Sequence, residues 1–431
     1  MKPVRIGICA LIAFGVIAFG GVEEWAEAVL EVGASGLLIY WSVYVYRRRA
    51  ELIAVSPFFL PLTAFALLIL AQLIFHTTAS RYHTRVELQL LCAYLIFLHL
   101  MIQAFQRSGH LRNFVWFLIS LGFAVSIFGI LQHLTFNGKL YWFREMHYGG
   151  YPFGPYVNRN HFAGFAELLI PLALVPLVLG KVRRERLLLV VLLALVPTVA
   201  LFLSASRGGI ISFGVELVVL FLLLLLRKVR TKYMLLGGVV VLGSVLAVSW
   251  IGVQQVLDRF ANYKTSDIAI GKRAAMRHDT WRIFLEHPVL GTGLGTLQLV
   301  FPPYDSLYDG KIVNHAHNDY LELLAETGII GGFCCAWFLG VLLLESLKGL
   351  RNLHGSLNSA LNLSGLVGCS GILVHSLVDF NLHIPANALL FFVAAHLATA
   401  RIQTETASPV KGHSRRRRSA KQSASGVEQP V

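Results

Sequence analysis

The chain has 431 residues, of which 56% are hydrophobic and only 14% are charged, and its formal net charge is +14. A soluble protein of this length carries far more charge, so the composition excludes a soluble enzyme and indicates a membrane protein throughout. The five cysteines fall inside apolar stretches and form no CxxC pair, which argues against redox chemistry, a disulfide framework and a structural zinc site.

Long apolar runs recur from one end of the chain to the other, each near the roughly 20 residues that cross the hydrocarbon core of a bilayer. They predict an all-α membrane protein, a polytopic bundle of about twelve transmembrane helices. No clear cleavage site follows the first run, so we expect an uncleaved first helix. The predicted spans are 4–20, 27–46, 58–76, 86–105, 112–133, 162–180, 186–203, 207–226, 233–251, 317–346, 358–378 and 384–402.

Basic residues in the short loops predict the orientation, because Lys and Arg accumulate on the cytoplasmic side of membrane proteins. With the N-terminus in the cytoplasm, every short loop alternates as this rule requires, and the C-terminus is cytoplasmic too. The arginines at 415–418 then predict contact with anionic membrane lipid and not with nucleic acid. The predicted divisions are spans 1–5 (1–133), an outer loop with spans 6–9 (134–251), a large outer loop between spans 9 and 10 (252–316), spans 10–12 (317–402) and a disordered basic cytoplasmic tail (403–431).

Four polar segments marked by glycine and histidine all fall on the outer side in this topology, which predicts a functional site there. The first, 151–161, leads into the sixth span. Asn158 or Asn160 suits a helix cap, and the neighbouring Arg159 and His161 suit an anion bound at the helix N-terminus.

The second segment is the short hairpin 204–209, with the sequence SASRGG. Arg207 lies at the membrane surface, where a charge is costly unless it is paired, faces a watery cavity or reaches the lipid headgroups. A guanidinium beside the hydroxyls of Ser204 and Ser206 suits a phosphate. The hairpin therefore indicates either phosphate binding or headgroup contact.

The third segment runs from Arg277 through Trp281 to the glycine-rich stretch 291–295. Its pattern predicts a short amphipathic helix that ends in a turn. The GTGLG sequence is not a dinucleotide-binding fingerprint, because it follows a helix and lacks the strand–turn–helix context.

The fourth segment, 315–328, opens the tenth span. Asn318 or Asp319 suits the helix cap, which places His317 at the lip of the helix. The spacing of His315 and His317 also suits a metal ion, but the sequence shows no third ligand, so we expect no metal site.

Glu322 and Glu326, four residues apart, share one helix face near the membrane boundary. Acidic residues at that depth pair inward, and Arg207 or Arg277 are the natural partners. A smaller polar cluster, for which hydrogen bonding within the core is the favoured role, consists of His375, Asp379 and His383.

These motifs resemble the O-antigen ligase and polysaccharide polymerase family. The specific match covers about 160–390, while the first five spans match only in hydropathy. The stretches that carry it are SxSRGG at 204–209, R-x-x-x-W…P-x-x-G-x-G-x-G at 277–295 and H-N-D-Y-L-E-L-L-A-E-T-G-x-x-G at 317–331; N-R-N-H-F-A-G at 158–164 and D-F-N-L-H-I-P-A-N at 379–387 resemble a branch that includes exopolysaccharide polymerases.

The resemblance implies a glycosyltransferase of the bacterial inner membrane. Such proteins take a glycan from undecaprenyl pyrophosphate at the periplasmic face and join it to lipid A-core or to another glycan repeat, without cofactor or metal. The family's functional arginines match Arg207 and Arg277, and its histidine best matches His317, with His315 as the second option. The arginines would stabilise the leaving pyrophosphate and the histidine would act as general base, so the anomeric centre inverts. Further donor contacts are expected from Arg159, His161, Ser204 and Ser206, with support from Asn158, Asn160, His315, Asn318, Asp319, Glu322, Glu326 and Asp379.

Two other classes of function stay open. A transporter of polysaccharide or lipid-linked glycan also has many spans, but it would place polar groups near mid-membrane, often at broken helices. An assembly partner of a polysaccharide export complex would carry no chemistry of its own. Within the enzyme class, the sequence does not separate ligase from polymerase, nor does it identify the sugar.

Overall fold

The computed structural model describes residues 1–49, 56–145, 151–228, 231–261, 263–308, 310–350 and 357–400, with the backbone alone at 231–233, 251–261, 263–270 and 357. The basic tail predicted at 403–431 lies outside the described residues. Over the described ranges the protein is helical, with these α-helices: α1 Lys2–Ile17, α2 Glu24–Arg48, α3 Phe59–Ile74, α4 Arg81–Ala104, α5 Ser108–Leu134, α6 Arg159–Val178, α7 Leu187–Leu203, α8 Arg207–Leu226, α9 Thr231–Ala261, α10 Tyr263–Glu286, α11 Leu297–Val300, α12 Asp319–Gly349, α13 Leu357–His375 and α14 Pro385–Thr399.

Every predicted span coincides with one of these helices, so the helical bundle is confirmed. Within the described residues, 7 helices are long and apolar enough to cross a membrane. Three further apolar helical stretches are shorter: Phe59–Ile74, Met234–Trp250 within α9, and Pro385–Thr399. The full number of crossings therefore stays a prediction. The long helix α10 and the short α11 lie in the large loop predicted at 252–316.

Helix α6 is the centre of the bundle, and 94% of its most apolar window is buried. It packs against α5, α7, α13 and α14. A Cβ at Gly164 would lie 2.3 Å from Oδ1 of Asn381, so only glycine allows this approach. The start of α6 is thereby fixed against the segment between α13 and α14, and both contribute to the site described below.

The outer surface of the bundle is apolar. Leu188, Leu226 and Trp250 are 72%, 76% and 89% exposed, on α7, α8 and α9. Such surface is unfavourable in water at about 25 cal/mol per Å², whereas lipid tails solvate it. The arrangement is that of a multi-pass membrane protein, as the composition predicts.

One end of the bundle is basic. Nη1 of Arg5 lies 3.3 Å from Nδ1 of His110, which joins the start of α1 to the start of α5. A cavity of ≈ 550 Å³ at this end is lined by basic side chains that the sequence assigns to cytoplasmic loops, including Arg112, Lys181, Arg183 and Arg186. The polar segments assigned to the outer side lie at the other end of α6.

Helix α12 is broken at Gly328, which has φ 62° and ψ −167°. A break leaves carbonyls of the preceding turn without helical partners. The stretch 288–295, here called the glycine turn, supplies them. The amide of Thr292 donates to the carbonyl of Ala325 at 3.0 Å, and the amide of Gly293 donates to that of Glu326 at 2.9 Å.

Two glycines make this docking of the glycine turn possible. A Cβ at Gly291 would lie 2.2 Å from the carbonyl carbon of Glu326, and a Cβ at Gly328 would lie 2.2 Å from the carbonyl oxygen of Val289. Both residues also have positive φ, at 69° and 62°. The glycine-rich motif of the third segment and the glycine of the fourth segment are therefore two halves of one contact.

Candidate functional site

A cavity of ≈ 960 Å³ opens at the end of the bundle opposite the basic loops. Its lining includes apolar side chains of α3, α4 and α12, among them Phe65, Leu90, Leu91 and Leu323. The first, third and fourth polar segments of the sequence all contribute to it. The polar lining includes Arg159, Asn160, His161, Arg273, His315, His317, Asp319, Glu326 and His383.

His317 lies in the loop before α12, and 22% of its side chain is exposed. Its φ of 51° is in the left-handed region, which a non-glycine residue adopts only when its surroundings enforce it. Ala316 is buried in a small apolar core beneath α10, and Asn318 caps α12 by accepting from the amide of Leu321 at 3.0 Å. Asn318 is thus the cap, and Asp319 is the first residue of the helix.

Several polar groups of the site contact the carboxylate of Asp379, although only 1% of its side chain is exposed. Nδ1 of His317 donates to its Oδ1 at 3.2 Å, and Nδ2 of Asn160 donates to its Oδ2. The guanidinium of Arg273 lies 3.9 Å from Oδ2, and Nε2 of His161 lies 4.0 Å from Oδ1. Burial alone would raise the pKa of this carboxyl, but the His317 hydrogen bond and the adjacent positive charge lower it well below its usual range.

A second group of acids and histidines lies beside the first. Nδ1 of His315 donates to Oε1 of Glu322 at 2.7 Å. Nδ1 of His383 donates to Oδ1 of Asp319 at 2.7 Å, while its Nε2 lies 3.5 Å from Oε1 of Glu322. Burial lowers the pKa of His383, but the two carboxylates raise it well above its usual value. The two histidines of the HAH motif, at positions 315 and 317, therefore have different carboxylate partners and do not act as a pair.

Phe380 packs between the histidines. Its ring stacks on His315 with centroids 4.2 Å apart, and it meets His161 and His317 edge-on at 4.7 and 5.0 Å. These contacts restrict the orientation of all three imidazoles. Phe380 contacts these three histidines, and its type and sequence position gave no signal of this role.

Glu326 holds the glycine turn in place. Its Oε2 accepts from the amide of Gly295 at 2.9 Å, and its Oε1 accepts from the amide of Leu297 at 2.8 Å. The sequence suggested arginine partners for this residue and for Glu322. The structure instead gives Glu322 two histidines and Glu326 two backbone amides, because the loop 288–316 folds back over the start of α12.

The serines of the SASRGG hairpin stabilise its turn. Ser206 Oγ accepts from the amide of Gly209 at 3.2 Å and caps α8. Ser204 Oγ donates to the carbonyl of Leu201 at 2.6 Å. Both side chains are buried, so their hydroxyls satisfy the chain reversal between α7 and α8.

Arg207 is the half-buried first residue of α8. A Cβ at the next residue, Gly208, would lie 2.7 Å from Nε2 of His375 and 3.2 Å from Val378. The hairpin therefore lies against the chain that leads directly into Asp379, although Arg207 is not among the residues that line the cavity.

Among the residues that the structure describes, two arginines line the cavity, Arg159 and Arg273. Arg159 lies over the ring of Tyr151 at 4.4 Å, and Nη1 of Arg273 donates to the carbonyl of Val378 at 3.3 Å. Arg277 is half-buried and lies one turn after Arg273 on the same face of α10. Sequence reasoning missed Arg273, because α10 begins earlier than the short helix that the pattern predicts.

The small polar cluster of the eleventh span divides in two. Nδ1 of His375 lies 2.9 Å from Oε1 of Glu167, and both side chains are fully buried in the helical core, as the favoured core role predicts. Asp379 and His383 instead belong to the site.

Sequence reasoning also missed Glu27 and Glu87, which line the cavity from α2 and α4. The only signal in the sequence was an acidic residue within an apolar span.

The arrangement has the parts of an acid–base site. An imidazole whose Nδ1 donates to a buried carboxylate presents Nε2 to accept a proton from a bound hydroxyl. A guanidinium beside it suits an anionic leaving group. Apolar and polar lining in one cavity suits an amphipathic substrate.

The O-antigen ligase family model matches residues 188–336. This region begins at α7 and ends within α12, and it includes Arg207, Arg277 and His317. The match confirms the resemblance on which the sequence analysis relied. Asp379 and His383 lie beyond it. No curated protein matches the chain.

Proposed function

We propose that this protein, which the match over 188–336 assigns to the O-antigen ligase family, is an inner-membrane glycosyltransferase. It transfers a glycan from undecaprenyl pyrophosphate to an acceptor hydroxyl at the periplasmic face, as an O-antigen ligase or as a surface or exopolysaccharide polymerase. The acceptor is lipid A-core in the first case and a glycan repeat in the second. The observation that supports this most is the contact between His317 and buried Asp379 at the polar cavity.

The bond exchange is a single displacement. His317 Nε2 accepts the proton of the acceptor hydroxyl while the acceptor oxygen bonds to the anomeric carbon. The bond from that carbon to the phosphate oxygen breaks, and the lipid pyrophosphate leaves with the electron pair. One displacement inverts the anomeric centre. No metal is assigned to this step, because positioned cations and a base supply what it needs.

Negative charge develops on the leaving pyrophosphate, and fixed cations stabilise it more in the transition state than in the ground state. Following the family, we assign this role to Arg207 and Arg277. The lining of the cavity adds Arg273 and Arg159 as direct candidates for donor contact, with His161 beside them. Helix α10 then acts as the element that presents arginines to the donor.

The lipid part of the donor enters between helices. The apolar side chains of α3 and α4 in the cavity lining suit its polyprenyl chain. The segment between α9 and α12 contributes Arg273, Leu294 and Val313 to the cavity lining, and it admits the acceptor on the periplasmic side. The basic end of the bundle faces the cytoplasm, where it meets anionic lipid.

The test is reconstitution of the purified protein with a lipid-linked oligosaccharide and no other protein. We expect glycan product with inverted anomeric configuration, and supplying lipid A-core as acceptor separates ligase from polymerase. Arg207→Ala and Arg277→Ala should each lower the rate by about 10²–10³. Arg273→Ala should lower it comparably.

The matched control is Arg282→Ala, on the same helix, whose guanidinium lies over Tyr304 and not in the cavity. We expect nearly wild-type transfer from this variant. Movement of the lipid donor across vesicles with no glycan product from either acceptor would contradict the proposal and favour a transporter.

A further inference from the structure

His315, Glu322 and His383 come together from three separate segments. They belong to the loop before α12, the first turn of α12 and the short helical turn between α13 and α14. Each offers one nitrogen or oxygen ligand atom, and these atoms all lie within 4.8 Å of one another. The sequence did not indicate these three residues as one set, because its motif pairs His315 with His317, whereas the structure places His315 beside His383.

The spacing of the three groups suits a bound ion. A tetrahedral zinc ion bonded at about 2.0–2.1 Å holds its ligand atoms roughly 3.3 Å apart. The separations from Glu322 Oε1 are 2.7 Å to Nδ1 of His315 and 3.5 Å to Nε2 of His383, which lie on either side of that value. The third separation, between the two imidazole nitrogens, is no more than 4.8 Å, so rotations of the side chains bring all three groups around one ion.

The groups behind these residues are those that usually support a metal site. Nδ1 of His383 donates to Asp319, a carboxylate that fixes the ring and turns Nε2 towards Glu322. The second oxygen of Glu322 accepts from the amide of Ala316 at 2.8 Å, which orients that carboxylate. Phe380 stacks on His315 and fixes the other imidazole ring.

The surrounding charge favours a cation. A cavity of ≈ 480 Å³ adjoins the three residues, and its lining contains no Lys or Arg among the described residues. On this side an ion would meet acidic groups from α2, α4 and α12. Arg159 and Arg273 line the larger cavity, to which His315 and His383 also contribute. The acidic and imidazole side chains in the lining of the smaller cavity are Glu24, Glu27, Glu31, His83, Glu87, His315, Glu322, Glu326 and His383.

We propose that His315, Glu322 and His383 bind one divalent transition-metal ion of the zinc class. Two imidazoles and one carboxylate favour Zn²⁺ or Co²⁺ over Mg²⁺ and Ca²⁺, which prefer oxygen ligands. The ion joins the loop before α12 to α12 and to the chain after Asp379. Its role is to hold the loop that carries His317, and this role rests on the proposed function, whereas the binding itself does not.

The test is metal binding to the full chain, purified with an affinity tag that contains no histidine and stripped with chelator. Titration with Co²⁺ should give one ion per chain and the visible absorption of a low-coordinate cobalt site, and Zn²⁺ should displace it. His383→Ala and Glu322→Gln should remove the saturable site. Asp319→Asn should weaken binding about 10-fold or more, because it removes the group that orients His383.

Two control variants separate this inference from the proposed function. His83→Ala changes a histidine of the same cavity that contacts Ser80, and it should leave cobalt binding unchanged. His317→Ala should bind cobalt as the wild type does while it loses glycan transfer. Absence of stoichiometric binding, or equal binding by His383→Ala, would overturn the metal site. Hydrogen bonds would then be what connects the three side chains. Mg²⁺ binding as tight as that of Zn²⁺ would also contradict it.

Discussion

The site depends most on one residue, Asp379, which touches substrate nowhere in the proposed mechanism. It is a positioning residue, because it fixes the ring and the tautomer of His317 and joins Asn160 and Arg273 to the same point. A substitution that removes the charge of Asp379 and keeps its shape should leave His317 in place but with the proton on the wrong ring nitrogen. The same logic applies to any histidine base that a buried carboxylate orients.

Asp379→Asn should lower kcat by about 10²-fold or more and change KM little, because substrate contacts stay in place. Steady-state transfer kinetics with lipid-linked donor measure both. The control is Glu145→Gln, which removes an exposed carboxylate that is paired with Lys139 and is not among the residues that line the cavity. If kcat falls only in proportion to the fraction of the protein that folds, the role of Asp379 is structural instead.

Asp379 also gives a prediction about pH. Its folded pKa is depressed, so its contribution to stability is present above the unfolded value of about 3.9 and is lost only as pH falls through the folded value. The difference in melting temperature between wild type and Asp379→Asn should therefore not shrink between about pH 8 and pH 5. A difference that vanishes at pH 5 would mean that this carboxyl takes up a proton there.

The sequence singled out several residues that the structure brings together, and it missed others. His317, Asn160 and Asp379 were all singled out, and they meet. Arg273 and Phe380 were not, because their roles depend on where α10 begins and on which rings face one another. Such contacts are decided by packing across distant segments, which a pattern within one segment does not contain.

Among the elements, α12 and the glycine turn stabilise each other. The break at Gly328 exposes carbonyls, and the turn caps them with its amides while Glu326 and Gln72 secure it. Gln72 Nε2 donates to the carbonyls of Leu290 and Glu326, at 2.6 and 2.9 Å. The helix break is therefore capped by a loop here, whereas in a carrier such a break would be expected to surround a substrate near mid-membrane.

Gly291→Ala should destabilise the protein by about 2 kcal/mol or more, because the new Cβ meets backbone and the residue has positive φ. Thermal unfolding in detergent measures this. The control is Gly271→Ala on α10, where nothing lies within 4 Å of the new Cβ, and it should be neutral or slightly stabilising. Equal melting temperatures for the two variants would contradict the docking of the turn.

Helix α10 shows where element prediction failed. It has 24 residues, whereas the sequence predicted only a short amphipathic segment near Arg277. Hydropathy alone does not reveal it, because the helix is polar along much of its length. Its apolar contacts, through Ile283 and Met276, are with the loop and the start of α12.

For the whole molecule, the account requires the two ends of the bundle to face opposite sides of the membrane. The helical bundle and the placement of the predicted spans were accessible from sequence, because length and hydropathy are local properties. The topology also predicted that the polar segments share the outer side. Which side chains of 158–161, 315–322 and 379–383 meet was not accessible, because it depends on how α6, α12 and α13 pack.

Cysteine labelling tests the orientation. In a variant without native cysteines, Asn137→Cys should react with a membrane-impermeant thiol reagent added from the periplasm. Glu185→Cys should react only after permeabilisation. Both positions are exposed, at opposite ends of the bundle, so access to the reagent and not burial decides the result. The reverse pattern would place the site in the cytosol and contradict a periplasmic transferase.

The central claim is that His317 accepts the proton of the acceptor hydroxyl during glycan transfer. The most direct measurement is the single-turnover rate of transfer by purified, reconstituted His317→Ala against wild type, with the lipid-linked donor bound to both. We expect at least about a 10²-fold loss with donor affinity retained. A variant that transfers glycan at the wild-type rate would contradict the account.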